Sequence, residues 1–308
     1  MKTRIIAIVG PTAVGKTALT LSLAEKVGGE VISADSMQVY RGMDIGTAKL
    51  TPAERARIPH HLIDVVEPGE AFSAADYQRL ARAAVDEIAS RGRIPIFSGG
   101  TGMYIRAAID DYNFVTVSNN PRVRDELRRQ ARDTGLSQLY ARLTDLDPPV
   151  AARVHKNDER RIIRALEVFE TTGRPLSFWE SQKDARQAIY DAVFIGLDRP
   201  RAELYARIDQ RVETMVATGL LDEVSALMTR GMSLVAHQAL GYKEVIPFLE
   251  GRCSFQEMME TLKRETRRYA KRQLTWFRAD ARVQWLNISD EAKAQAEIMA
   301  ILARRFGL

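Results

Sequence analysis

The residues best suited to chemistry stand at Gly10-Pro11-Thr12-Ala13-Val14-Gly15-Lys16-Thr17, a gapless match to G-x-x-x-x-G-K-[ST]. Glycines let a backbone wrap an anion with its N–H groups turned inward. Lys16 adds a full positive charge, and the Thr17 hydroxyl stands where it would ligate Mg2+. An apolar run, Arg4–Val9, precedes the loop, and Ala18–Val27 follows with apolar residues at helical spacing. That strand–loop–helix context separates a P-loop from a chance match, and the helix N-terminus adds partial positive charge. The loop does not choose its ligand. ATP, GTP and any diphosphate ester fit the same grip. No clear Walker B segment follows. Leu62-Ile63-Asp64 is the nearest candidate, and an apolar strand would by itself place an aspartate there.

Two further groups belong beside this grip. Asp35 follows a short apolar run, Glu30–Ser33, and Thr101 sits in Gly99-Gly100-Thr101-Gly102 after Ile94–Ser98. In a parallel sheet the C-terminal strand ends form one rim, and ligands bind there. A carboxylate at that rim is repelled by phosphate unless it holds metal or takes a proton. The plainer readings are a helix-capping aspartate and a tight glycine turn.

The elements that must position these groups alternate strand and helix. His61–Val66 is a further strand candidate. Tyr77, Leu80, Ala81, Ala84, Val85 and Ile88 share one face of a helix over Ala74–Ser90. The fold class expected is α/β: a P-loop-type parallel sheet flanked by helices, with an all-α insertion domain. Residues 1–112 form the first part of the core, residues 113–191 the helical insertion, and residues 192–308 the second part. In the insertion Asp158–Glu167 reads as the start of an amphipathic helix. Ile162, Ile163, Leu166 and Phe169 are its apolar side; Arg160, Arg161 and Arg164 either reach a phosphate backbone or pair with Glu159 and Glu167.

The chain carries 45 lysines and arginines against 40 acidic residues, a net charge of +5. Between Lys263 and Arg282, eight cations face only Glu265 and Asp280, a surplus of six. Interleaved Tyr269, Trp276 and Phe277 tilt this stretch from a solvated helix face toward a nucleic-acid surface. One cysteine, Cys253, and four histidines argue against a disulfide or a zinc site. The apolar run Ile5–Val9 is too short to span a bilayer and lacks an export cleavage site, so a cytoplasmic protein with no membrane association is expected.

Taken together, these segments resemble the bacterial tRNA dimethylallyltransferases, enzymes that prenylate an adenine beside the anticodon. The resemblance rests on the P-loop and on Ala34-Asp35-Ser36-Met37-Gln38-Val39-Tyr40, Asp44-Ile45-Gly46-Thr47-Ala48-Lys49 and Pro59-His60-His61-Leu62. It continues through Gly99-Gly100-Thr101-Gly102-Met103-Tyr104, Arg160–Val168, Gly241-Tyr242-Lys243-Glu244 and Arg268–Arg278. The segments keep the family order from about residue 5 to 280. Leu50 and Met103 are small departures. His237-Gln238-Ala239-Leu240 stands where some relatives carry an arginine that meets the RNA.

The resemblance implies that Gly10, Pro11, Thr12, Ala13, Val14, Gly15, Lys16 and Thr17 bind the diphosphate of dimethylallyl diphosphate, with Mg2+ near Thr17. It implies Asp35 as the base for the adenine N6 amine, with Thr101, Lys16 and Arg211 in the catalytic set. tRNA contacts are implied at Asp35, Ser36, Met37, Gln38, Thr101, Val123, Glu159, Arg160, Arg161, Ile162, Ile163, Gln238, Lys271 and Arg272. The partners are then the anticodon stem-loop of tRNA and dimethylallyl diphosphate, with a monomer sufficient. The rival readings are an adenylate isopentenyltransferase, a P-loop small-molecule kinase, and a non-catalytic RNA-binding protein with a relict loop.

Overall fold

A computed structural model describes residues 2–112, 120–181 and 187–307. The chain begins with β1 (Arg4–Val9), α1 (Lys16–Val27), β2 (Gly29–Ser33), α2 (Pro52–Arg57), β3 (His60–His61), α3 (Ala74–Ser90), β4 (Ile94–Gly99) and α4 (Gly102–Ile109). A run of helices follows: α5 (Pro121–Asp133), α6 (Leu136–Leu146), α7 (Pro148–Ala151), α8 (Glu159–Thr172) and α9 (Leu176–Ser181). Then come β5 (Asp191–Asp198), α10 (Arg201–Ala217), α11 (Leu220–Arg230), α12 (Leu234–His237), α13 (Tyr242–Leu249), α14 (Phe255–Arg278), β6 (Val283–Asn287) and α15 (Glu291–Phe306).

These elements divide into two compact units, Met1–Asp110 with Ala188–Leu308, and Asp111–Gln187. The expected insertion ran to 191. Ile189 N–H donates to Ile109 O and Ala188 bridges Asp110, both pairs within the first unit.

The first unit is built on one all-parallel sheet in the order β3-β2-β4-β1-β5-β6. β1 lies inside, and Ile5–Val9 are fully buried, which is why the strand reads as an unbroken apolar run. Helices cover both faces, and each face has its own apolar cluster. Capping boxes at Ser73/Asp76 and Ser254/Glu257 start α3 and α14. Among the described residues no helix is long and apolar enough to cross a membrane.

The strand expected over His61–Val66 is only His60–His61. Leu62 and Asp64 turn through the left-handed region (φ 63° and 57°), which ends the ladder. Lys49 and Arg55 fix that turn by taking the two Asp64 carboxylate oxygens at 2.6 Å each. The one Walker B candidate is therefore an ion-paired turn residue. Val65 and Val66 return beside Val39 and Tyr40 instead.

The second unit packs α5, α6, α7 and α8 around Leu127, Leu139, Leu143, Val150, Ile162 and Leu166. Glu167 is buried among them. It takes hydrogen bonds from Asn120 N–H, Arg124 and Arg164.

Candidate active site

β1, β2, β4 and β5 all end at one rim of the sheet, and the loops leaving them form the site. The loop after β1 passes through φ 151° at Gly10, 63° at Ala13 and 114° at Gly15. A Cβ at Gly10 would stand 2.7 Å from Leu197 O of β5, so that position has no room for a side chain. Four loop carbonyls are claimed by cations. Lys16 Nζ donates to Gly10 O (2.9 Å) and Pro11 O (2.8 Å), Arg207 Nε to Ala13 O (3.0 Å) and Arg199 Nε to Val14 O (2.8 Å). Arg199 is itself held by Glu203 and Glu291.

Burial, reinforced by the nearby charge of Arg211, pushes Lys16 down to about 7 against the opposing pull of Asp35. Arg211 projects from α10 toward the same point. Burial lowers it and Asp35 raises it, and it makes no hydrogen bond or ion pair among the described residues. An unpaired guanidinium beside a P-loop lysine is a prepared anion site.

Asp35 is not a helix cap. Its Oδ1 accepts the N–H of Met37 at 2.9 Å, which fixes the carboxylate in a turn after β2. Thr101 is tied to the same turn. Its N–H donates to Ala34 O (3.0 Å), and its Oγ1 accepts the Ser36 N–H (3.0 Å) and lies 3.3 Å from Ser36 Oγ. Gly99 must be glycine here, since a Cβ would lie 2.2 Å from Ala34 O.

Two cavities meet at the P-loop. The larger, about 1300 Å3, is lined by Lys16, Thr17, Arg207, Arg211, Ile45, Leu50 and Met215, among others. The narrower, about 100 Å3, runs past Lys16, Thr17 and Arg211 to Asp35, Gln38, Tyr269 and Gln273. Lys16, Thr17 and Arg211 stand where the two join. The geometry thus brings Lys16, Thr17, Arg211 and Asp35 to one place, with Thr101 directly behind Asp35.

Other sequence-derived residues fall elsewhere. Met37 packs against the core, and both ends of the Gln38 amide are used internally, by Ser33 (2.9 Å) and Thr47 O (3.2 Å). Gln38 also borders the narrow cavity together with Asp35. Ile162 (0% exposed) and Ile163 (4%) lie in the insertion core, on the apolar face that helical periodicity gives them. Val123 packs partly on the same core, while Glu159, Arg160 and Arg161 are exposed at the start of α8. Gln238 is exposed just past α12.

The basic stretch is less free than its composition suggests. Lys263 pairs with Glu213, Arg264 and Arg268 with Glu265, Arg267 with Asp209, Arg278 with Asp198, and Arg282 with Asp110 and Asp280. Lys271 and Arg272 are the exposed members with no ion pair among the described residues; Arg272 sits 5.7 Å over the Tyr269 ring. Arg199, Arg207, Tyr269 and Gln273 were not among the expected site residues. A helical-face reading places Tyr269 and Gln273 together, four apart on the buried side of α14.

With this geometry in view, comparison with known proteins is specific. The sequence model of the IPP transferase family matches residues 38–280. The tRNA dimethylallyltransferase of Geobacillus thermodenitrificans is 49% identical over 302 residues, 98% of this chain and 96% of that protein. The crystal structure of a tRNA isopentenylpyrophosphate transferase from Bacillus halodurans is 45% identical, with a TM-score of 0.74 over 99% of this chain and 97% of that one. A eukaryotic dimethylallyltransferase acting on tRNA is 30% identical, with a TM-score of 0.82 over 98% of this chain and 78% of that one. Near-full-length identity to the first of these, together with the family match, means that the chain belongs to the IPP transferase family, that of the tRNA dimethylallyltransferases.

Proposed function

We propose that this chain transfers the dimethylallyl group of dimethylallyl diphosphate to N6 of the adenine 3′ to the anticodon in tRNA, releasing diphosphate. The observation that carries the reading is the meeting of Lys16, Arg211 and Asp35 in the narrow cavity beside the P-loop. The names of its relatives support transfer of a dimethylallyl group to tRNA.

As the allylic C–O bond breaks, its electron pair leaves on the diphosphate. The P-loop N–H groups, Lys16 and Arg211 stabilise that charge. The N6 lone pair forms the new C–N bond. N6 is a weak nucleophile because its lone pair is shared with the ring, and Asp35 takes its proton as the bond forms. Thr101 holds the Asp35–Ser36 turn in place. The target base must leave its stack, which is easier in a single-stranded loop than in a duplex.

Mg2+ fits the donor set. Thr17 offers a hard hydroxyl oxygen in both cavities. Such an oxygen suits Mg2+ when phosphate oxygens and waters complete its shell. When bound, it would neutralise charge on the leaving diphosphate. We place the reaction in the cytoplasm and in a monomer.

The kinase reading loses its Walker B carboxylate, because Asp64 is committed to Lys49 and Arg55. Incubation with labelled dimethylallyl diphosphate, Mg2+ and either unmodified tRNA or AMP tests the proposal. Label is expected in tRNA. Label in AMP alone would establish the adenylate reading instead.

A further inference from the structure

The helical segment Arg268–Arg278 reads as an RNA surface, yet its inner face reaches into the site. Gln273, 5% exposed, extends its amide between two loops of the rim. Its Oε1 accepts the N–H of Thr12 in the P-loop at 2.9 Å, and its Nε2 donates to Gly100 O in the glycine turn at 3.0 Å. These loops leave β1 and β4, which are neighbours in the sheet. One turn earlier on α14, Tyr269 lines the narrow cavity together with Gln273 and Asp35. A chain of hydrogen bonds therefore runs from Thr12 through Gln273 to Gly100, whose neighbour Thr101 accepts the Ser36 N–H beside Asp35. Gly100 is part of the fit, because a Cβ there would stand 2.0 Å from Gln273 Nε2.

We propose that Gln273 is a positioning residue for the transfer: its amide sets the separation between the P-loop that carries the leaving group and the glycine turn after β4, whose Thr101 in turn holds the Asp35 turn. This rests on the transferase reading above. A reaction between two bound partners needs the attacking nitrogen and the allylic carbon at close, fixed approach, and a displacement near 1 Å costs about 100-fold in rate. Gln273 spans that gap with a side chain locked at both ends. No glutamate can replace it, because a carboxylate accepts from Thr12 N–H but meets Gly100 O with a second acceptor. A plain brace would show itself in stability. A positioning group shows itself in kcat with the substrates still bound.

The test compares the parent with Gln273→Glu, Gln273→Ala and the pair Gly100→Ala and Gly100→Ala/Gln273→Ala. Rates are expressed per folded molecule, with the folded fraction read by circular dichroism and the Kd of inorganic diphosphate by calorimetry. We expect kcat to fall about 100-fold in Gln273→Glu and Gln273→Ala, with both KM values and the diphosphate Kd within about threefold of the parent. Gly100→Ala should lower the melting temperature, and the double variant should restore it without restoring kcat. A Gln273→Glu kcat within about threefold of the parent overturns the proposal, as does a loss that appears only in KM or in the folded fraction. A parent that transfers no label overturns the transferase reading itself, whatever the variants do.

Discussion

At the scale of single residues, Asp35 and Lys16 carry the distinguishing predictions. Asp35→Asn keeps the shape of the turn, since the Met37 N–H still finds a side-chain oxygen. We expect kcat to drop by about 10²–10⁴, as for a lost general base, while diphosphate binding measured by calorimetry stays near the parent value. An unchanged rate removes Asp35 from the mechanism. Lys16 predicts a pH dependence. Its amine is pushed down to about 7 in the folded chain and returns to the ordinary 10.5 when unfolded. Between those values the unfolded chain holds a proton that the folded one has lost, so unfolding free energy rises with pH across that window. Denaturant titrations of the parent and Lys16→Met should differ in this slope, with the variant flatter. Diphosphate affinity should run the other way. A bound diphosphate keeps the ammonium protonated, so affinity falls as pH climbs above about 7, and Lys16→Met should lose that fall.

At the scale of elements, the loop Asp44–Thr47 and α11 are joined by one carboxylate. Glu223 accepts the N–H groups of Asp44, Ile45 and Gly46 at 2.7–3.0 Å and the Tyr242 hydroxyl at 2.6 Å. Gly46 is forced, because a Cβ would stand 2.5 Å from the Tyr242 ring. Asp44 and Ile45 wall the larger cavity, so the clasp shapes the cavity that opens beside Lys16 and Thr17. Glu223→Ala should cost about 1–3 kcal/mol in chemical denaturation, the range for hydrogen bonds to a charged group, and should raise KM for dimethylallyl diphosphate. These contacts join two segments distant in sequence, Asp44–Lys49 and Gly241–Glu244. The sequence showed both motifs but not their bond, which depends on Glu223 arriving from about 180 residues away. Strands were readable wherever burial was complete, as in Arg4–Val9. The run His61–Val66 misled because its apolar residues pack beside Val39 and Tyr40 in a turn rather than a ladder. The P-loop was readable because its chemistry is local. Gln273 was not, because a glutamine among arginines looks solvent-facing until α14 is docked.

At the scale of the molecule, charge pairing decides how the protein meets RNA. Half of the eight cations between Lys263 and Arg282 are neutralised by carboxylates far along the chain, namely Asp110, Asp198, Asp209 and Glu213. That pairing is invisible in a count of charges. Binding of tRNA should weaken as salt rises. Lys271→Ala and Arg272→Ala should each reduce the magnitude of the slope of log K against log salt by about 1. Arg267→Ala, which breaks the pair with Asp209, should leave that slope unchanged and lower the melting temperature. The reading of the P-loop as a prenyl diphosphate cradle, with RNA as nucleophile, faces its plainest trial in a nucleotide-free reaction. Diphosphate released and prenyl-adenine formed in tRNA are counted together, with no ATP or GTP present. One diphosphate per modified adenine is expected. Turnover that appears only when ATP is added would contradict it.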